Sequence, residues 1–270
     1  MLFGLIAAAA CALASTVAAV LKWRGAQSAP AVSFKTPLSS AGGLLNNRSF
    51  LAGVLLATVA TLCNAAAITL APISVVKPVA AASLITLGVV VSLMLGIKVT
   101  GRQQLGLVLV AAGLAGIVLT AQGHSTGGSG QALLIFEAVA LSCGLLLVGI
   151  AKLKSSALVL ALAAGILGGS ADALIKHLPQ SSLEGAIASG LLLLALAAIG
   201  LLLAAKALQG GQALAVIAAL AVSANLTSIA SGFIVFGEKL PSSTLAISVQ
   251  LLALVLIFAA LALMPPSIAN

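Results

Sequence analysis

The chain has 270 residues, of which 62% are apolar and 6% charged, and its net charge is +8. Water-soluble chains carry about 25% charged residues, so a soluble core and a soluble catalytic domain are both excluded. The basic residues form no run, Trp23 is the single Trp and there is no Tyr, which removes the charge and stacking platforms that nucleic-acid binding needs.

The apolar residues fall into runs of membrane-spanning length, since a spanning helix needs about 20 of them. The first expected span, 2–22, ends at Lys22 and has no basic residue before it, unlike a signal peptide. The link 23–49 carries Pro30, Pro37 and many Ser and Gly residues, and is expected to be a flexible loop. Spans then follow at 50–70, 72–97 and 104–121, with Asn64 in the second and Lys77-Pro78 in the third. A Gly/Ser-rich stretch, Gln122 to Gly130, reads as a second exposed loop. The remaining spans are 131–151, 156–176, 184–206, 211–236 and 243–264, their ends marked by Pro179, Pro241 and Pro265-Pro266. The expected fold is therefore an all-α integral membrane protein of about nine transmembrane helices. Cys11, Cys63 and Cys143 lie in apolar runs at no metal or disulfide spacing and read as packing residues.

Lys and Arg in the loops set the orientation. With the N-terminus outside, Lys22, Arg24, Lys35, Arg48, Lys98, Arg102, Lys152, Lys154 and Lys206 lie at cytoplasmic ends, against Lys176 and Lys239 outside. An odd number of spans puts the C-terminus in the cytoplasm. Residues 72–120 also align on 213–261 at an offset of 141, which matches Gly96 with Gly237, Lys98 with Lys239 and Thr86 with Thr227. The first span echoes the sixth, ending in Val20-Leu21-Lys22 and Leu174-Ile175-Lys176. The paired helices run in opposite senses, so the expectation is an inverted repeat of four plus five helices, 1–121 and 131–264. Such repeats place a site at their interface near the bilayer midplane.

Polar groups inside a bilayer are costly and mark function by default. Asn64, Lys77, Glu137 and Asp172 fall at a similar depth, roughly 6–9 Å below the outer surface at 1.5 Å per residue, and could line one vestibule. Lys77 could pair there with Glu137 or Asp172. Against this, Lys77 can snorkel to the headgroups, and Asp172 and Lys176 have the i, i+4 spacing of a local pair. Glu137 has no charged neighbour within a turn and is the first candidate for coupling or substrate contact. Pro78 removes a backbone hydrogen bond beside Lys77. Asn225 and Thr227, with Ser223 and Ser228, form a further polar patch. Gly165, Gly168, Gly169 and Ser170 include a GxxxG, the pattern of close helix packing. No acid pair, nucleophile motif or phosphate loop is present, and His124 and His177 lie in or beside outer loops.

Two stretches resemble the drug/metabolite transporter superfamily, with its EamA-type exporters and NIPA-type magnesium transporters. One is Leu70-Ala71-Pro72-Ile73-Ser74-Val75-Val76-Lys77-Pro78 with Gly106 and Gly113 following. The other is Phe236-Gly237-Glu238-Lys239-Leu240-Pro241, similar to the Gly-Glu-Arg/Lys-Leu that ends the corresponding helix in the family. The family plan is ten helices in two inverted repeats of five, and the NIPA-type members are similar to a nine-helix form. Ile97 stands where the family has an acid in the first repeat, Lys77 puts a positive charge in the proline-flanked stretch, and Ala213 and Ala219 replace the second set of prolines.

The resemblance implies a secondary carrier that moves a small solute by alternating access with proton or ion coupling, most simply in export. The alternatives are a NIPA-like divalent cation transporter using Glu137, Asp172 and Asn64, and a non-transporting membrane subunit or lipid-carrier flippase component. The expectation is a non-enzyme with no cofactor and no resident metal, multi-pass in the plasma or inner membrane. Its partners would be the lipid bilayer and a small-molecule or ion substrate, with a second copy of the chain as a further candidate and no nucleic acid.

Overall fold

The computed structural model describes residues 2–70, 73–120, 129–178, 181–238 and 243–263, and the side chains within them except those of 2–9, 11, 64–70, 73–83, 118, 258 and 261–263. Ten helices account for nearly all of it: α1 (Leu2–Ser28), α2 (Pro37–Leu45), α3 (Arg48–Leu70), α4 (Ile73–Leu95), α5 (Gly101–Thr120), α6 (Gly130–Lys154), α7 (Ala157–His177), α8 (Leu183–Gly210), α9 (Ala213–Ile234) and α10 (Thr244–Leu263). No strand occurs among the described residues. Each of the nine apolar runs is a helix to within a few residues. Among the described residues, α6, α7, α8 and α9 are long and apolar enough to cross a membrane. Leu134, Leu146, Leu191 and Leu194 on α6 and α8 are each more than half exposed. Such a surface is a liability in water and the natural outer face in lipid, so the chain is a helical membrane protein.

Short polar signals start and stop these helices. Serine N-caps open four of them, α10 through Ser243 Oγ accepting from the Ala246 amide at 3.2 Å, because a side-chain oxygen satisfies an orphan amide. The amide of Ala132 donates to Ser129 Oγ at α6, that of Val159 to Ser156 Oγ at α7 and that of Gly185 to Ser182 Oγ at α8. Glycine closes two others. Gly96 after α4 has φ +67° and Gly237 after α9 has φ +60°, the left-handed region that glycine enters without Cβ strain. The Gly96 amide donates to the Ser92 carbonyl at 3.0 Å, and the Glu238 amide reaches back to the Gly232 carbonyl at 3.0 Å. These are the two glycines that the offset of 141 brings into register.

The link 23–49 departs from the loop expected there. α1 runs on to Ser28, and α2 occupies Pro37–Leu45 with Pro37 in its first turn. Proline is well placed at that position, since the amide it lacks has no helical partner and its φ is already helical. Asn47 then opens α3, its Oδ1 accepting from the amides of Ser49 at 3.0 Å and Phe50 at 3.1 Å. The result is a sharp bend: α2 and residues 48–63 of α3 meet at 89°.

The chain divides into two compact units, one of 1–121, 212–218 and 241–270, the other of 122–211 and 219–240. In the first, α1 packs on α3 and α4, α4 on α5, and α5 on α10. Phe50, Leu44, Val20, Leu87, Val91, Leu107 and Ile257 are fully buried there. Small residues set the spacing, as packing between membrane helices requires. A Cβ at Gly53 would stand 2.8 Å from the Ala18 carbonyl oxygen, and one at Gly113 would stand 2.7 Å from that of Ala253. In the second unit α7 is central, packed on α6 and α8 and crossed by α9. Its core joins Leu133 and Phe136 of α6, Ala163, Leu167 and Leu174 of α7, Leu196 and Leu203 of α8, and Val235 and Phe236 beyond α9.

Candidate functional site

Glu137 lies two turns into α6, on the face that carries Leu133, Phe136 and Ala140 into the core of the second unit. Its side chain is 5% exposed. Both carboxyl oxygens are buried, and by strict geometry neither has a hydrogen-bond partner among the described residues. The polar group nearest in kind is Ser170 of α7, which is fully buried and faces the carboxyl. The Ser170 hydroxyl donates to the Leu167 carbonyl at 3.1 Å. A carboxyl in such a place is the costliest arrangement a membrane helix can hold. It is relieved by a proton, a cation or a substrate donor.

Ser170 is held there by the glycine face of α7. A Cβ at Gly165 would run into the Ser223 hydroxyl and the Leu220 carbonyl of α9. A Cβ at Gly169 would meet the Ala224 carbonyl and stand 2.7 Å from Thr227 Cβ. Gly168, one residue away, has nothing within 4 Å. The GxxxG of α7 is thus a close approach of α9, and it brings Thr227 beside Gly169. Ser223 and Ser231 are buried and bond to carbonyls of their own helix, Ala219 at 2.9 Å and Ser228 at 2.7 Å. Asn225 turns to the exposed side of α9, where its Nδ2 donates to the Ala221 carbonyl at 2.8 Å.

The first unit repeats part of this pattern. Thr16 of α1 is buried, donates to the Ala12 carbonyl at 2.9 Å and meets the Thr86 hydroxyl of α4 at 3.4 Å. In the sequence register, Thr16 corresponds to Ser170 and Thr86 to Thr227. A hydroxyl therefore sits at the same level of the central helix in both halves, and only the second half adds a carboxyl to it.

The other expected residues separate. Asp172 is on the exposed side of α7. Lys176 forms an ion pair with Glu238 at 2.8 Å. The same ammonium lies 4.2 Å from the centre of the Phe236 ring. The side chains of Asn64, Lys77 and Pro78 lie outside the described residues, as does His124, so the expected pairing of Lys77 with Glu137 or Asp172 lies outside them too. Sequence reasoning gave Ser170 no role and saw Glu238 only as part of a motif. The available signal for the ion pair was the alignment of Lys22 with Lys176 and of Ile97 with Glu238.

Among the described residues no three His, Cys, Asp or Glu side chains gather into a metal-binding group. Compared with family models, curated proteins and solved structures, the chain matches none.

Proposed function

We propose that the protein is a secondary carrier of the drug/metabolite transporter type, moving a small solute by alternating access with coupling at Glu137. The observation that carries this reading is the buried Glu137 carboxyl, both oxygens without a partner, in a helix long enough to span a bilayer. Such a group is a functional candidate by default, because its cost falls when an ion, a proton or a substrate visits it. The nine apolar helices, the N-terminus outside and the excess of Lys and Arg at the other side complete the reading. The matched glycines Gly96 and Gly237 support an inverted repeat, the architecture on which many secondary carriers rock.

The test is flux in proteoliposomes loaded with a pH dye and a magnesium dye, comparing the native chain with Glu137→Gln. A solute-dependent pH change that Glu137→Gln abolishes, in a folded variant, is the expected result. Magnesium entry dependent on Glu137 would replace the exporter with the divalent-cation reading. Silence in both channels across a broad solute screen would leave the membrane-subunit reading.

A further inference from the structure

We infer that the link between α1 and α3 is an interfacial binding site for anionic phospholipid headgroups, a role independent of transport. Three observations meet there, all within the first unit. The first is direction. α2 lies at 89° to residues 48–63 of α3, so when α3 crosses the bilayer α2 lies in the plane of its surface. α2 is also fixed in place. The Ser33 amide donates to Ser40 Oγ at 3.0 Å, Ser40 Oγ donates to the Ser33 carbonyl at 3.1 Å, and Leu44 is fully buried.

The second is the outward face. Leu38 and Leu45 are seven residues apart and so share one side of α2. They are 88% and 41% exposed, and Phe34 just before the helix is 39% exposed. A surface helix with exposed leucines on one side is the form that sinks into the headgroup boundary. Beside it lies an open cleft of about 640 Å³, lined by hydroxyl and amide side chains that include Thr36, Ser39, Ser40 and Asn46. Thr36, Ser39 and Asn46 supply donors suited to phosphate oxygens, the Ser40 proton being taken by the Ser33 carbonyl.

The third is charge. Residues 1–136 contain seven Lys and Arg and no Asp or Glu. Three of those cations, Arg24, Lys35 and Arg48, are exposed at this link. A Cβ at Gly25 would run into the backbone of Phe50, so α1 and α3 are in contact at this end and bring Arg24 and Arg48 to the same level. No carboxylate of this half is present to neutralise them. Anionic lipid attracts each Lys or Arg held near the surface, by about fivefold in affinity per cation. Cations, a hydroxyl-lined cleft and a flat apolar helix together match a phospholipid with a net negative headgroup.

The experiment uses the full chain in nanodiscs of phosphatidylcholine mixed with phosphatidylglycerol in equal parts, with either lipid brominated. Trp23 is the single Trp and stands beside Arg24, so its quenching reports the lipid at this end. Brominated phosphatidylglycerol should quench Trp23 more than brominated phosphatidylcholine. The triple variant Arg24→Gln, Lys35→Gln, Arg48→Gln should erase the difference. A spin label at Leu38→Cys, in a chain whose native cysteines are replaced by Ala, should be more accessible to oxygen than to a water-soluble nickel chelate, which places α2 in the membrane without touching the cations. Equal quenching by the two lipids in the native chain, or a label at residue 38 that lies in water, would overturn the proposal. So would a preference that inorganic phosphate removes, because that would assign the cleft to a free anion.

Discussion

Lys176 of α7 and Glu238 beyond α9 are joined at 2.8 Å, and the Lys176 ammonium also covers the Phe236 ring at 4.2 Å. One side chain thereby ties the end of the central helix to the turn that Gly237 makes. The two partners keep 43% and 23% of their side-chain surface exposed, so solvent screening weakens the pair. Each of Lys176→Met and Glu238→Gln should lower thermal stability in detergent. A double-mutant cycle should give a coupling energy of about 0.5–1 kcal/mol, falling as salt is raised. Additive effects of the two changes would show that the pair contributes nothing.

The glycines of α7 give a sharper contrast. Gly169→Ala should destabilise by about 1–3 kcal/mol, the usual cost of overpacking, because its methyl would meet the Ala224 carbonyl and Thr227. Gly168→Ala meets nothing within 4 Å and should stabilise by about 0.5–1 kcal/mol through reduced chain entropy. Melting temperatures of the two purified variants decide the matter, and equal effects would mean that α9 does not rest on α7 as described.

Gly96 and Gly237 should behave as a pair. Each holds a left-handed backbone, where a side chain costs about 1–2 kcal/mol. Gly96→Ala and Gly237→Ala should each lower stability by about that amount, while Asn at either position should recover part of the loss. A fall at one position only would show that the two helix ends are not equivalent.

Glu137 should be dispensable for folding. Its carboxyl has no partner to lose, and replacing a buried polar group by an apolar one of similar size is often neutral or stabilising. Glu137→Leu should keep stability in detergent or raise it by about 1 kcal/mol, even though flux is lost. A strong destabilisation would instead make the carboxyl a structural element of the α6–α7 contact.

Most helices could be read directly, because a long apolar run permits few alternatives. α2 could not. Its sequence, Pro-Leu-Ser-Ser-Ala-Gly-Gly-Leu-Leu, has the composition of a loop, and only the position of Pro37 at the first turn favours a helix. Glu137 stood out because an acid in an apolar run has no local explanation. Ser170 did not, because its importance comes from the neighbour it faces on another helix. The Lys176–Glu238 pair was hidden for the same reason. The i, i+4 rule supplies a partner within one helix, whereas the turn after α9 brings a carboxylate from 62 residues away. Local spacing is legible in a sequence, but which helix rests on which depends on where the small residues allow approach.

Two residues, Ser155 and Ser156, separate α6 from α7, and Ser155 turns the chain with φ +47°. So short a connection makes the two helices a hairpin from the moment they are synthesised. The helix that covers Glu137 is therefore the next one in the chain, and the contact between them is local in sequence. The tether joins the ends of α6 and α7 remote from Glu137, so the end that carries the acid is held to α7 by packing alone.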